Sequence, residues 1–324
     1  MLKIRKVLLT MMSLLVLTAG ISLSTKNVQA SEKRIDTTVI DEKWGKPTFV
    51  YGGGLSESQI DNTIKLLDIE EINNVNSMPV TGEDLANYLN EGAADTSVMI
   101  SSVLVQKKNS GTGVEVLIKT PENITEITEE QYTNAAITAG VSDAQILVAS
   151  VSRVTGESAL TGIYKAFDVN GEGLEQDRME VAQEELETTN AIAQENQDQE
   201  GFETDRLNQA IIEIKQELAD LKDQVGNLAT REDIERIIND ALANNQLEDY
   251  VTQEQFQRLL DLFEKYQSTS AIDSAQVKEQ LKDLSEEVKN RVSGLIDQAE
   301  ESGIIDRIGT FFKEVWQSIR NLFN

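Results

Sequence analysis

The amino-acid sequence predicts an α+β fold: a small N-terminal mixed sheet with helices, built from a duplicated helix–strand unit, followed by an all-helical C-terminal region. Three observations predict it. A pattern with helix and turn signals occurs twice between residues 55 and 157, strand signals stop at Gly171, and a heptad pattern of apolar residues follows.

The duplicated unit is visible at both of its ends. Residues 55–59 (LSESQ) and 127–131 (ITEEQ) open the two copies, and residues 80–83 and 154–157, both Val-Thr-Gly-Glu, close them. Each opening has the pattern of a capping box, in which Ser or Thr caps a helix and a Gln three residues later reaches back. The sequence therefore predicts a helix, a strand and a turn in each copy.

The N-terminal region, residues 47–170, is predicted from apolar periodicity and turn residues. Strands are expected at 48–51, 72–80, 97–105, 114–118 and 145–151, and helices at 57–67, 83–89, 129–139 and 157–167. The polar loop 107–113 predicts a hairpin between its two flanking strands. The sheet is expected to be mostly antiparallel or mixed.

The C-terminal region, residues 171–300, is predicted to be helical, with a heptad helix over 205–229. Thr230 and Thr252 mark the starts of two further helices. Apolar residues in this helix recur at alternating intervals of four and three positions, as in a coiled coil, and so form one apolar stripe, which we call the seam. The seam packs either inside a helical bundle or between two chains. Its residues are Leu207, Ile211, Ile214, Leu218, Leu221, Val225 and Leu228.

Residues 303–323 predict a separate amphipathic, aromatic-rich terminal helix. Its apolar face suits the core of the bundle, a membrane surface or a groove on a partner protein, and strong amphipathicity alone does not distinguish these. The candidate membrane or partner contacts are Ile308, Phe311, Phe312, Val315, Trp316, Ile319 and Phe323.

Residues 1–30 predict a cleavable secretory signal peptide. Three basic residues precede an apolar run, and Val28-Gln29-Ala30 has small residues where signal peptidase cuts. We therefore expect a secreted or extracytoplasmic protein of the cell envelope. The polar residues 31–46 predict a flexible lead-in.

Composition excludes several classes of function. Removal of the signal peptide takes the formal charge from −27 to −31, because that segment has four basic and no acidic residues. So negative a chain repels nucleic acid, and basic partners or divalent cations suit it better. The absence of Cys and His removes disulfides, Ser–His and Cys–His nucleophile systems and His-ligated zinc. No catalytic residue, cofactor or metal ligand is predicted.

Two loops have incomplete site motifs. Gly52–Gly54 precedes a helix but lacks the ending of a P-loop, so a structural turn is favoured over an anion site. Asp168–Gly173 resembles the start of a calcium loop, but its twelfth position is Met179, where a bidentate Glu is required. We expect a polar turn there, with weak calcium binding to surface carboxylates.

Several blocks, in order, resemble a known family. In the N-terminal half the matching blocks are Gly53–Ser56, the helix at 127–140, Val154–Gly156, Ala159–Gly162 and Val181–Leu186. Further blocks follow at Thr252–Gln255 and Leu259–Phe263, so the resemblance covers about residues 48–284. The sequence is similar to the family catalogued as domain of unknown function 1002. The resemblance implies a secreted protein of Gram-positive bacteria, and it brings no established site residue.

The sequence favours a non-enzymatic interaction or structural module of the cell envelope. Its expected partner is an unknown protein or a membrane surface, reached through the terminal helix. Two alternatives stay open: an extracellular hydrolase that uses carboxylates on cell-wall material, and a calcium-responsive structural protein.

Overall fold

The computed structural model describes residues 34–90 and 95–300, with side chains as far as residue 292. The predicted signal peptide, residues 1–30, and the predicted terminal helix, residues 303–323, lie outside these ranges. The described residues contain a five-stranded mixed sheet followed by helices, which confirms the predicted α+β class.

The elements follow the predicted order. The strands are β1 (Thr48–Gly52), β2 (Asn76–Val80), β3 (Ser102–Lys107), β4 (Val114–Ile118) and β5 (Ala144–Ala149). The helices are α1 (Glu57–Leu66), α2 (Gly82–Leu89), α3 (Glu129–Ala139), α4 (Ser158–Val169), α5 (Gln176–Asn196), α6 (Thr204–Val225), α7 (Arg231–Asn244), α8 (Gln253–Tyr266) and α9 (Ala275–Glu300).

The strand order is β2-β1-β3-β5-β4. β1 is parallel to β2 and antiparallel to β3, while β5 is antiparallel to β3 and parallel to β4. The hairpin predicted between β3 and β4 is wrong, because β5 lies between these two strands. β1, β2, β4 and β5 therefore point the same way, and their carboxyl ends meet at one edge of the sheet.

The two copies of the duplicated unit share their order of elements: α1, β2 and α2 in the first, α3, β5 and α4 in the second. Both capping boxes form, since Gln59 Oε1 accepts from Ser56 N at 2.9 Å and Gln131 Oε1 accepts from Thr128 N at 2.8 Å. Their positions differ, because β2 is an edge strand and β5 is an inner strand.

The sheet separates two apolar cores. On one face, α1 covers a small core that includes Phe49, Leu104 and Leu147. On the other face, α3, α4 and α5 cover a larger core that includes Val103 and Ile146. Successive residues of a strand point to opposite faces, so the buried strands β3 and β5 are apolar on both.

The helical region packs directly on α3. Ile137 of α3, Ile212 of α6 and Leu281 of α9 belong to one buried cluster. Arg291 of α9 also pairs with Glu130 at the start of α3. The boundary predicted between residues 170 and 171 falls in the turn between α4 and α5, where Gly171 has φ +80°.

The described part of the lead-in, residues 34–46, packs against the sheet domain. Ile35 is buried with α1 and the strands. The ring of Trp44 meets Phe167 edge-on at 4.8 Å, and its Nε1 donates to Glu172 at 2.8 Å. Two apolar side chains of this polar stretch thus contact the sheet domain, and the flexibility of residues 31–46 stays a prediction.

Candidate functional site

A cleft of about 250 Å³ lies at the edge where the carboxyl ends of the parallel-pointing strands meet. Its walls come from α2, the segment before β3, the turn after β5, and α5. We call it the sheet-edge cleft; it is lined by Leu85, Leu89, Val98, Met99, Ser101, Val154, Thr155, Gly156, Glu157, Ser158, Gln183 and Glu187. Open α/β sheets commonly bind ligands at this edge.

The glycine loop beside this edge is a structural turn. Gly53 N donates to Val80 O at 2.8 Å, and Gly54 N donates to Met99 O at 3.0 Å. A Cβ atom on Gly52 would lie 2.3 Å from Met99 O, so a larger residue does not fit. These backbone donors are used within the protein, which leaves the anion-site interpretation without support.

Two residues that line the sheet-edge cleft each have a buried side-chain oxygen without a hydrogen-bond partner among the described residues: Ser101 Oγ and Gln183 Oε1. Ser101 is 1% exposed and Gln183 is 6% exposed. The amide of Gln183 is oriented by its other end, because Nε2 donates to Glu187 Oε1 at 2.7 Å. Buried polar atoms are nearly always paired, so two unpaired acceptors in one small cleft call for an explanation.

Two carboxylates complete the cleft. Burial raises the pKa of Glu157 above its ordinary value, and the nearby charge of Glu187 raises it further. A hydrogen bond with Thr155 acts in the opposite direction. A carboxyl group whose pKa is raised by burial and a like charge, in a cleft, is the electrostatic pattern of many functional sites.

A buried tyrosine holds the turn that precedes Glu157 in place. Tyr132 Oη donates to Gly156 O at 2.7 Å, and Tyr132 is fully buried. Gly156 has φ +104°, and a Cβ atom there would lie 2.4 Å from Tyr132 Oη. Glycine is therefore required at this point, both for its backbone conformation and for this close approach.

A second and larger opening, of about 1080 Å³, lies between α6, α7 and α9. We call it the helical cleft. Apolar residues form its floor, including Ala219, Ile237, Ala241, Ala243 and Leu281. The floor residues come from three different helices, so the cleft is a groove between packed helices.

Charged residues of both signs line the helical cleft. Glu213, Glu217 and Asp220 line it from α6, α9 contributes Lys278, Lys282 and Lys289, and α7 contributes Arg236 and Asp240. The α6 and α9 side chains approach each other, since Lys289 Nζ lies 3.8 Å from Glu213 Oε1. An acidic chain thus presents a basic strip along one side of this groove.

The predicted seam residues fall into two groups. Leu207, Ile211, Ile214 and Leu218 are fully buried in the core of the helical region, with Leu221 packed beside them. Val225 and Leu228 are 54% and 44% exposed. The predicted heptad helix 205–229 is too long, because α6 ends at Val225, before the left-handed Gly226.

The polar turn at residues 168–173 uses its side chains within the protein. Glu172 accepts from Trp44 and from Lys107, and Asp168 accepts from Tyr88 Oη at 3.0 Å. Within the described ranges, no group of three or more acidic side chains is arranged to hold a metal ion.

None of the helices that the structure describes is long and apolar enough to span a membrane. The candidate contacts of the predicted terminal helix lie outside the described residues, and so do all the residues of the predicted signal peptide.

Residues 51–284 match the model of a family described as "Protein of unknown function (DUF1002)". The chain belongs to the DUF1002 family. It is also similar to "Uncharacterized protein YpuA" of Bacillus subtilis (strain 168), at 31% identity over 292 residues, which cover 88% of this chain and 92% of the relative. No solved structure matches the chain. These findings confirm the resemblance seen in the sequence.

The DUF1002 match places both clefts in the family's shared region. Its span contains every residue of the sheet-edge cleft, and every residue of the helical cleft except Lys289. Neither cleft was predicted. Only the Val-Thr-Gly-Glu pattern, which contains Glu157, marked a wall of the sheet-edge cleft in advance.

Proposed function

We propose that this DUF1002 protein is a non-enzymatic interaction protein that works outside the cytoplasm, and that a partner binds in the helical cleft. The observation that carries the proposal is the lining of this groove, in which apolar residues from three helices lie beside acidic side chains of α6 and lysines of α9. An amphipathic partner helix that has acidic residues on one flank and basic residues on the other would match it.

The extracytoplasmic location is supported by residues 1–30, whose basic start, apolar run and Val28-Gln29-Ala30 ending are typical of a signal peptide. Fractionation of cells that express the full chain, with mass spectrometry of its N-terminus, tests this step. We expect a chain that begins at Ser31 in the medium or envelope. A cytosolic chain with Met1 intact would contradict it.

The partner site can be tested with one substitution in the floor of the helical cleft. Ala243 is half-buried in this floor, so Ala243→Arg would fill the groove. Ala275 is exposed at the start of α9 and does not line the cleft, so Ala275→Arg is a control with the same charge change. In cross-linking to envelope fractions, we expect adducts to be lost only with Ala243→Arg.

A second contact is proposed for residues 303–323, whose aromatic apolar face suits a membrane surface or a partner groove. Flotation with anionic and neutral vesicles, using the full chain and a chain that ends at residue 302, separates the two. Flotation of the full chain alone indicates a membrane contact. If neither form floats or captures envelope protein, the segment is not an attachment element.

One observation favours a second candidate function, a carboxylate-based hydrolase of cell-wall material. Burial raises the pKa of Glu157, which lies near Glu187 in the sheet-edge cleft, and two neighbouring carboxyl groups in different surroundings are candidates for general acid–base chemistry. Release of soluble fragments from cell-wall material, abolished by Glu157→Gln, would establish it. Absence of release by the intact chain would exclude it for that substrate.

A further inference from the structure

Several residues that line the sheet-edge cleft carry side-chain oxygen atoms that can accept a hydrogen bond. Gln183 Oε1 and Ser101 Oγ are buried and have no partner among the described residues, and the carboxylates of Glu157 and Glu187 lie at the same walls. We propose that this cleft binds a primary ammonium group on a short apolar stem, with Ser101, Gln183 and Glu157 as its acceptors. The site is separate from the helical cleft, and its ligand does not depend on what binds there.

The orientation of Gln183 is the first step of the argument. Its Nε2 donates to Glu187 Oε1 at 2.7 Å, and the reversed amide would place two acceptors against each other. The amide oxygen is therefore the atom without a partner. An amide oxygen accepts only, so it calls for a donor from a ligand.

Charge is the second step. The described residues that line the sheet-edge cleft include Glu157 and Glu187, and none of them is Lys or Arg. The nearby basic side chains are already paired: Lys165 Nζ lies 2.6 Å from Asp84 and Lys265 Nζ lies 2.7 Å from Glu184. The negative charge of the cleft is thus uncompensated by the residues that line it, which favours a cationic ligand.

The types of oxygen atom in the cleft distinguish an ammonium ligand from a metal ion. An ammonium group has three N–H donors, which matches two neutral oxygens and one carboxylate. The described residues form no cluster of three acidic side chains around this cleft, as a calcium ion commonly requires.

The apolar walls of the cleft indicate that the ligand has a short carbon chain. Leu85, Leu89 and Val154 line the cleft with Met99, and Val98 at the rim is 65% exposed. A large, exposed apolar side chain beside buried acceptors is suited to cover a short carbon chain. The ligand class is therefore an alkyl ammonium, as in a free amine or a lysine side chain.

The test is calorimetric titration of the full chain with pentylamine in about 150 mM salt, where charges are screened beyond roughly 8 Å. Pentanol, which keeps the stem and removes the charge, and calcium chloride are titrated in parallel. We expect saturable binding of pentylamine, and weaker binding of pentanol by roughly tenfold or more, because hydrogen bonds to charged groups are the stronger ones.

Three variants locate the site. Glu157→Gln and Ser101→Ala should each weaken pentylamine binding, Glu157→Gln by roughly tenfold. Glu180→Gln removes the same charge from a neighbouring groove, which Asp177, Glu180, Glu184 and Glu264 line, and it leaves the pair of Glu184 with Lys265 intact. It should leave binding within about twofold if the contact is local. Ser101→Ala removes an unpaired buried oxygen, so we expect weaker binding with no loss of thermal stability.

Three results would overturn the proposal. Equal binding of pentanol would show an apolar pocket, and equal weakening by Glu180→Gln would show diffuse attraction to an acidic surface. Calcium binding that is abolished by Glu157→Gln, without pentylamine binding, would show a metal site. Hydrolysis of cell-wall material is measured separately, so failure of that function leaves this test unchanged.

Discussion

Lys215 Nζ lies 2.6 Å from Glu185 Oε1, and both side chains are closed off from solvent. Thr138 Oγ1 and Asn134 Oδ1 accept from the same ammonium at 2.6 and 2.8 Å. Burial lowers the pKa of Lys215, and the charge of Glu185 opposes that shift. The pair thus joins α3, α5 and α6, where the helical region meets the sheet domain.

Loss of one partner of this pair should be costly. Lys215→Met would leave the buried carboxylate of Glu185 without its counter-ion, and we expect a loss of about 3–5 kcal/mol in the free energy of unfolding. Urea denaturation followed by circular dichroism measures it.

The control is the double variant, Lys215→Met with Glu185→Leu, which removes both charges. We expect it to be more stable than Lys215→Met alone, because no unpaired charge remains buried. A double variant that is no more stable would show that packing of the lysine chain, and not the ion pair, holds this junction together.

The seam of α6 gives a prediction that separates packing within the chain from association. Leu218 is 1% exposed, so Leu218→Ala should cost about 2–5 kcal/mol in the free energy of unfolding. Val225 is 54% exposed, so Val225→Ala should change it by less than about 0.5 kcal/mol.

Light scattering at the same protein concentrations completes this test. If the seam joined two chains through its exposed end, Val225→Ala would lower the measured mass or the stability. A monomer in both variants, with only Leu218→Ala destabilised, fits a seam that is internal to the helical region.

The type and order of the elements could largely be predicted from the sequence, because these depend on local signals. The capping residues Thr230 and Thr252 fix the starts of α7 and α8 through contacts three residues away. The end of α6 was also marked locally, by Gly226, since glycine is the usual residue after a helix. The heptad spacing beyond that glycine was misleading.

The strand order and the sheet-edge cleft could not be predicted in this way. β5 lies between β3 and β4 although the loop between these two strands has the residues of a hairpin, since pairing depends on the whole core. Ser101 and Gln183 line one cleft only because α5 packs beside the edge of the sheet. The orientation of Gln183 depends on Glu187, one helical turn away.

Gly156 and Gly171 form a matched pair for a backbone prediction. Both have positive φ, at +104° and +80°, but only at Gly156 would a Cβ atom meet another group, Tyr132 Oη at 2.4 Å. Gly156→Ala should cost about 2–4 kcal/mol in the free energy of unfolding, from strain and overpacking together. Gly171→Ala should cost only about 1 kcal/mol, since strain acts alone. Equal losses, measured by urea denaturation, would contradict the close approach.

Trp44 anchors residues 34–46, so its removal should loosen this segment. Trp44→Ala loses the edge contact with Phe167 and the hydrogen bond to Glu172, and we expect a cost of about 2 kcal/mol. Trp44→Phe keeps an aromatic ring but loses the N–H donor and part of the indole, and we expect a smaller cost of about 1 kcal/mol. Hydrogen exchange should speed up at residues 34–46 in the alanine variant first. Unchanged exchange there would show that Ile35 alone holds the segment.

Glu157 should make stability depend on pH in a direction opposite to that of an ion-paired carboxylate. Its pKa in the folded chain is raised from the ordinary 4.5, so the folded state binds the proton more tightly than the unfolded state. The contribution to stability is complete below the unfolded value and is lost as the pH rises through the folded pKa. The groups that act on it are Glu187 on α5 and Glu126 before α3.

Glu157→Gln replaces the titrating carboxyl group by a neutral amide. At pH 7 the melting temperature of the variant should therefore be higher than that of the unmodified chain. The increase should be at most about 2 °C, because Glu157 is half-exposed and its charge is screened by solvent. At pH 4 the two should melt together. Glu286→Gln, at an exposed site on α9, removes the same charge and should give no such pH-dependent difference. A melting temperature that falls at pH 7 would mean that the ionised carboxylate of Glu157 stabilises the turn, and that its pKa is not raised.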